Sequence, residues 1–105
     1  MTDNDVWLVI INCPSTEVAD AIGKGALERG LAKAFNISAE MQTSYLWKGE
    51  VIQNREVQLI FKLAGKDRKA LFEFAKSQHP FEVPSIKAWT ITEVDPDYRR
   101  YLLGE

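Results

Sequence analysis

The period of the hydrophobic pattern changes repeatedly along the chain, and each change marks the boundary of a predicted element. The first apolar run, Val6 to Cys13, is β-branched and apolar at consecutive positions, which predicts a central strand covered on both sides. From Thr16 to Arg29 the apolar residues recur at helical spacing, with Ser15 or Thr16 as N-cap. Two glycines inside this helix, Gly23 and Gly25, lower its intrinsic stability relative to alanine. We expect them where the helix backbone packs too closely against the sheet for a larger side chain.

Two longer runs with alternating polarity follow, and they predict a hairpin. Residues Phe35 to Lys48 and Glu50 to Leu63 are joined at Gly49, which can supply positive φ for a tight turn. Fourteen extended residues reach about 45 Å, whereas a compact domain of this size is only about 35 Å across. The hairpin should therefore overhang, and its open edges invite pairing with another chain. The alternative is a bulge or shorter hairpin around Gln53-Asn54-Arg55 that folds back on the domain.

The rest of the pattern completes a recognisable order of elements. Asp67 can cap a second helix that runs to Gln78, Ser85 to Glu93 alternates as a last strand, and Asp95-Pro96-Asp97 begins a short terminal helix. The order β-α-β-β-α-β predicts an α+β, ferredoxin-like fold: one antiparallel sheet, strand order 4-1-3-2, helices on one face and a short C-terminal helix. No linker or repeat divides the chain, so residues 1 to 105 are interpreted as a single domain.

This topology brings Cys13 and His79 to the same end of the molecule. A thiolate with an imidazole, and Glu82 as a candidate third ligand, would suit copper or zinc. A second interpretation places a small anion, phosphate or carboxylate, on the backbone amides that open the first helix at Ser15 and Thr16. In the third, the helix start is an ordinary capped terminus facing water and Cys13 is a small buried hydrophobe.

Composition and charge narrow the function classes. The 105 residues carry 15 acidic and 13 basic side chains, a net charge of −2, so we expect no nucleic-acid partner. The single cysteine excludes an intramolecular disulfide, so a reducing environment is expected. No apolar run approaches the length of a membrane span, so no membrane association is expected. Neither a phosphate-cradling loop nor an orienting carboxylate accompanies the Cys/His pair, so no enzyme is predicted.

Several aromatic side chains are predicted to form core or subunit interface, or else to wall a ligand pocket between subunits: Tyr45, Trp47, Phe81, Trp89, Tyr98 and Tyr101.

Three segments together resemble the CutA family of divalent-cation tolerance proteins. They are Asn12-Cys13-Pro14-Ser15, the hairpin from Ser44-Tyr45-Leu46-Trp47-Lys48-Gly49-Glu50 to Glu56-Val57-Gln58-Leu59-Ile60-Phe61-Lys62, and His79-Pro80-Phe81-Glu82-Val83-Pro84. The resemblance covers nearly the whole chain, and the closing Pro96-Asp97-Tyr98 also looks like that family.

The resemblance implies a tight homotrimer whose long hairpins pair across subunits, which agrees with the overhang expected above. It also implies a cytoplasmic role in tolerance of copper and other divalent metals, and an architecture similar to that of PII signalling proteins. Copper binding in some members is attributed to positions that match Cys13 and His79, although Gln78 stands where some members have a second histidine. The alternatives are a PII-like trimeric module for a small anion at subunit clefts and a purely structural trimeric scaffold.

Overall fold

The computed structural model describes residues 5–105, so the first four residues of the predicted domain lie outside the described part. Five strands and three helices form in these residues. They are β1 (Val6–Cys13), α1 (Thr16–Glu28), β2 (Ala34–Ile37), β3 (Met41–Trp47), β4 (Glu50–Ala64), α2 (Arg68–Gln78), β5 (Ile86–Thr90) and α3 (Pro96–Leu103).

The strands form one antiparallel sheet with the order β2-β4-β1-β5, and β3 pairs with the first half of β4. This order confirms the prediction, because β2 and β3 together occupy the place of the predicted second strand. The α+β architecture and the antiparallel sheet are likewise as predicted.

One face of the sheet holds the hydrophobic core. Alternate residues of β1 and β4 point to this face and are fully buried there, for example Val9, Ile11 and Phe61. Helix α1 covers the core with Ala19, Ile22 and Ala26, and α2 covers it with Leu71 and Ala75. Burial of these apolar surfaces is the main force that holds the helices on the sheet.

The opposite face of the sheet is covered only in part. Helix α3 packs on β1 and β4, and its Leu102 is buried apart from the main core, as are Val6 and Ala64 at that end of the strands. Further along, Leu8, Ile10 and Ile60 are half-buried, and Trp89 is 50% exposed. Within one subunit, therefore, β1 is not covered on both sides as its sequence predicted.

The predicted long strand from Phe35 to Lys48 is wrong in one respect, because residues 38–40 interrupt it. Ile37 pairs with Leu59 and Met41 pairs with Glu56, so three residues oppose only two on β4. One extra residue on one strand is the definition of a β-bulge, and it lets the strand change direction while it stays paired with β4. The Ser38 hydroxyl accepts a hydrogen bond from the Gln58 amide (2.8 Å) and donates to the Ala39 carbonyl (2.8 Å), which stabilises the break.

The hairpin of β3 and β4 overhangs the domain, as predicted. The molecule measures 46 × 26 × 23 Å along its principal axes. Lys48 and Gly49 form the tip with φ of 50° and 82°, the left-handed pair that matches the twist of a two-residue hairpin. The bulge that we considered around residues 53–55 is absent there, since those residues pair in continuous register with β3.

The helix and strand ends test several finer predictions. Ser15 caps α1, because its hydroxyl accepts a hydrogen bond from the Val18 amide (3.2 Å). Asp95 caps α3, because its carboxylate accepts hydrogen bonds from the Asp97 and Tyr98 amides. Both caps are as predicted. Asp67 does not cap α2: it lies inside a 3-10 turn, Gly65–Asp67, with a helical backbone, whereas an N-cap needs an extended one. The last strand, Ile86–Thr90, is shorter than the predicted 85–93: beyond Thr90 the Ile91 amide still donates to the Val6 carbonyl (2.9 Å), and β1 begins at Val6.

The two helix glycines mark close contacts, as predicted, but with different partners. A Cβ on Gly23 would lie 2.7 Å from the ring of Phe35 in β2, which is the expected contact with the sheet. A Cβ on Gly25 would instead meet Phe74 of α2 at 2.8 Å. The second glycine therefore serves the contact between helices rather than the contact with the sheet.

Candidate functional site

Cys13 lies at the end of β1 and is fully buried. Its Sγ is 3.9 Å from the carbonyl oxygen of Ile11, a weak contact for a thiol. Burial, and secondarily the carboxylate of Glu56, raise the pKa of the Cys13 thiol from 9.0 to about 11. The thiol is therefore protonated at neutral pH, and a metal ion would have to displace that proton.

His79 follows α2 directly, and the structure places it against the end of β1, as the topology predicted. Its Nε2 lies 2.7 Å from the carbonyl oxygen of Asn12, and its Nδ1 accepts a hydrogen bond from the Phe81 amide at 3.1 Å. The neutral ring with the proton on Nε2 satisfies both bonds at once, since a carbonyl oxygen can only accept and an amide can only donate. His79 thus ties the end of α2 to the end of β1, with only 8% of its surface exposed.

These observations test whether the predicted residues fit a metal ion. The fold brings Cys13 and His79 to one end, but the thiol is buried and both imidazole nitrogens are already hydrogen-bonded. Glu82 is exposed in the following loop, and residues 5–105 contain no group of three or more His, Cys, Asp or Glu side chains able to hold a metal ion. In this geometry the two residues do not present a donor set, and metal binding by them stays a prediction.

The start of α1 shows an ordinary capped terminus. Ser15 uses its hydroxyl for the Val18 amide, as described above, and Thr16 is exposed. The interpretation of this terminus as an anion seat therefore rests on the backbone amides alone, and it stays a prediction.

A cavity of about 470 Å³ opens beside His79, between the base of the hairpin and the loop that precedes β5. Its walls come from four parts of the chain, and three of the aromatic residues singled out in the sequence are among them. The lining residues are Asn12, Thr43, Tyr45, Trp47, Glu56, Pro80, Phe81, Glu82, Val83 and Ser85. Among these described residues there are two carboxylates and no basic side chain, which does not favour a small anion here.

A buried polar network forms one wall of this cavity. The Asn12 side-chain amide donates to Glu56 Oε1 (3.2 Å), while Asn12 Oδ1 accepts from Lys87 Nζ (3.1 Å). Lys87 also donates to Ser85 Oγ at 2.7 Å. Burial lowers the pKa of Lys87, and the nearby Glu56 acts against that shift.

The sequence analysis did not single out Asn12 or Glu56 as site residues. One signal was available, because Asn12 is the only polar residue in the apolar run that forms β1. A polar side chain in such a run is retained only where it finds a partner. Its partner, Glu56, is distant in sequence and becomes visible only through the register of β1 and β4.

Comparison with known proteins decides the family. Residues 7–105 match the family model described as CutA1 divalent ion tolerance protein. The chain belongs to the CutA1 family. It is 36% identical over 95 residues to the divalent-cation tolerance protein CutA of Thermotoga maritima, covering 90% of this chain and 93% of that protein. It is 37% identical over 95 residues to the protein of the same name from Thermus thermophilus, covering 90% and 92%.

The solved structures agree with this membership. The CutA1 divalent cation tolerance protein of Thermus thermophilus superimposes with a TM-score of 0.90 at 35% identity, covering 94% of this chain and 96% of that one. The resemblance to the CutA family is thereby confirmed, as is the predicted α+β fold with its antiparallel sheet. Among the described helices, none combines the length and apolar character that crossing a membrane requires.

Proposed function

We propose that this CutA1 family protein acts in the cytoplasm as a homotrimer in the response to divalent metal ions, with copper as the candidate metal and without catalysing a reaction. The family, and the names of the relatives in Thermotoga and Thermus, support the divalent-cation part. The buried thiol of Cys13 and the fully hydrogen-bonded ring of His79 support a role without catalysis, because neither group is available as nucleophile or base.

The overhanging hairpin is the main structural observation that supports self-association. Leu46 is 71% exposed and Val51 is 73% exposed, although they lie opposite each other in the pairing of β3 with β4. A two-stranded ribbon is marginally stable in water by itself, and its outer edges offer unpaired backbone groups to another strand. A second copy of the same hairpin supplies both an apolar cover and a pairing partner.

The open face of the sheet extends the same argument. Leu8, Ile10 and Ile60 are half-buried there, Trp89 is half-exposed, and α3 covers only the far end. Exposed apolar surface of this kind, continuous with an unpaired ribbon, is typical of a subunit interface. The number of three subunits follows from the resemblance to the CutA family.

Copper binding depends on whether Cys13 and His79 become available. The thiol and imidazole are the soft donors that suit copper, but the ion must displace the bonds of His79 to Asn12 and Phe81 and reach a buried thiol. We therefore expect binding to be slow and to be lost when either residue is replaced.

Native mass spectrometry tests the trimer and the metal in one experiment. Reduced protein is titrated with Cu(I) and with Cu(II), alongside Cys13→Ala and His79→Ala, and the mass reports both the subunit number and the metal bound per trimer. Saturable binding that is lost in both variants supports the metal site. Binding that neither substitution changes refutes it and leaves the trimer intact.

A matched pair of variants tests the interface itself. Leu46→Glu combined with Val51→Glu places two charges on the ribbon, and we expect monomers that keep the far-ultraviolet spectrum of the folded chain. Leu27→Glu is the control, because Leu27 is an exposed apolar residue at the end of α1, away from the ribbon. Trimers that persist in the ribbon variant, or a wild-type monomer at micromolar concentration, contradict the proposed assembly.

A further inference from the structure

The cavity beside His79 has features that the proposed metal site does not use. Glu56 forms part of its wall and is only 3% exposed, which is unusual for a carboxylate. Asn12 donates to Oε1 of this side chain, and the ion pairs formed among residues 5–105 do not include Glu56. A buried carboxylate whose hydrogen bond comes from a neutral amide has no cation in direct contact to balance its charge.

Lys87 interacts with the charge of Glu56 through space but is not in direct contact with it. Lys87 Nζ is held by Asn12 and Ser85, forms no ion pair with Glu56, and does not line the cavity. Glu82 adds a second carboxylate at the exposed side of the cavity. The lining that the structure describes is therefore acidic, and a positively charged ligand would complement it.

The apolar part of the lining is aromatic and held in place. The Tyr45 hydroxyl accepts a hydrogen bond from the Asn54 side-chain amide at 2.9 Å, and Phe81 is held by the bond from its amide to His79, with the two rings 4.9 Å apart. The Lys48 ammonium lies 5.6 Å from the Trp47 ring centre, so a ligand that used this ring would have to replace that contact. Rings of this kind bind ammonium and guanidinium groups through their negative faces, and their fixed positions lower the entropic cost of binding.

The donor set also distinguishes between kinds of cation. A hard metal ion needs several oxygen ligands, whereas the described residues provide no cluster of three acidic, cysteine or histidine side chains. An organic cation needs one carboxylate for its charge and an apolar wall for its body, and a cavity of about 470 Å³ accommodates a molecule of that size.

We propose that this cavity binds a small organic cation, an amine or a guanidine with an apolar body, with the charged head on Glu56 and the body against Tyr45, Trp47 and Phe81. The lining residues come from one subunit and do not include Cys13 or His79, so the proposal does not depend on copper binding. It assigns to the chain a ligand class different from both the metal ion and the small anion considered above.

Three probes with the same ring and different charge test this proposal. Benzylammonium, benzyl alcohol and benzoate are titrated calorimetrically into the wild-type protein at neutral pH and low salt. We expect benzylammonium to bind and the other two to bind at least about tenfold more weakly, since only the cation can pair with the carboxylate. Equal or tighter binding of benzoate or benzyl alcohol overturns the proposal.

Variants locate the binding. Glu56→Gln keeps the shape of the side chain and its acceptor for Asn12, and we expect it to weaken benzylammonium about tenfold or more. Trp47→Leu removes one aromatic wall without touching the buried network and should weaken the same probe. Glu93→Gln is the matched control, because it removes one negative charge from an exposed residue outside the lining, and it should leave the affinity unchanged. Benzylammonium affinity that is the same in Glu56→Gln as in the wild type refutes the site.

Two further outcomes separate this proposal from its competitors. If Cu(II) or Zn²⁺ displaces benzylammonium and its own binding requires Glu56, the cavity is a metal site and the proposal is wrong. If no probe binds and Glu56→Gln changes the subunit number in native mass spectrometry, the cavity is a contact between subunits, which also overturns it. Loss of copper binding in Cys13→Ala or His79→Ala, by contrast, concerns the proposed metal role alone.

Discussion

The two halves of β4 belong to one continuous strand but lie in opposite environments. In the second half, from Val57 onward, alternate residues such as Leu59 and Phe61 are completely buried between the sheet and the helices. In the first half, Val51 is 73% exposed, although it is as apolar as its counterparts and is paired with a strand just as they are. One strand therefore leaves the protection of its own subunit halfway along its length.

The difference shows what strand pairing does and does not provide. The second half pairs with both β1 and β2, whereas the first half pairs only with β3 and has one open edge. The first half also lacks a layer of helices, because α1 and α2 cover only the second half. Apolar burial is the dominant driving force of folding, and we expect the ribbon to gain it in the proposed assembly.

The largest expected effect comes from truncating one apolar residue in each half. Phe61→Ala opens a cavity in a fully buried position and should lower the free energy of unfolding by about 3–5 kcal/mol. Val51→Ala removes an exposed side chain and should cost less than about 0.5 kcal/mol within the subunit. Urea unfolding at fixed protein concentration measures both. The remaining effect of Val51→Ala should be weaker assembly, visible as a smaller trimer fraction on dilution.

Equal losses in the free energy of unfolding for Phe61→Ala and Val51→Ala would contradict the distinction between the two halves of β4. Equal losses at high dilution, where the subunits are separated, would mean that the ribbon is covered by its own chain. The distinction between the two halves of β4 would then be wrong.

A smaller effect is expected from adding one methyl group to a glycine in each region. In Gly23→Ala the new Cβ would lie 2.7 Å from the Phe35 ring, and we expect a loss of about 1–3 kcal/mol from overpacking. At Gly49, in the hairpin tip, nothing lies within 4 Å and the cost comes only from its positive φ of 82°, about 1 kcal/mol. Thermal unfolding of both variants checks the order.

Shortening the obstructing ring separates the two causes. Phe35→Leu added to Gly23→Ala should recover part of the loss, since the clash is with that side chain, whereas the same change should recover nothing in Gly49→Ala. Recovery in neither double variant would show that Gly23 is disfavoured by something other than the contact with Phe35.

Much of the fold follows from local patterns in the sequence. The apolar run of β1, the helical spacing of α1 and the turn at Gly49 each follow from nearby residues, and together with the rule for crossovers they predict the correct strand order. The break at residues 38–40 was missed, because a bulge depends on how many residues face each other across two strands. Asp67 was assigned the wrong role for a similar reason: its side chain can cap a helix, but the preceding turn fixes its backbone in a helical conformation.

The candidate site was less predictable than the fold. Topology correctly placed His79 against the end of β1, but no sequence pattern shows that both of its nitrogens are engaged by Asn12 and Phe81. The wall formed by Glu56 depends on the register of β4 against β1, which is a long-range property. Residue types therefore indicate which side chains are capable of chemistry, and only the packing shows which of them are free to take part in it.

A pH-dependent effect is expected at Cys13, which pairs with Val57 where the two halves of β4 meet. Burial, and secondarily Glu56, raise the pKa of its thiol from 9.0 to about 11, so the folded protein keeps the proton where the unfolded chain has lost it. The free energy of unfolding should thus be insensitive to this group below pH 9 and should fall as the pH rises from about 9 to about 11. Alkaline pH is expected to weaken the boundary between the two halves.

Lysine and tyrosine side chains titrate in the same range, so the informative quantity is a difference between two proteins. Urea unfolding of the wild type and of Cys13→Ala, measured in steps across that range, cancels the shared titrations and leaves the contribution of the thiol. We expect the wild type to lose its advantage over Cys13→Ala as the pH rises. A difference that stays constant would mean that Cys13 ionises as readily in the folded protein as in the unfolded chain, and the end of β1 would then be open to solvent and to metal ions.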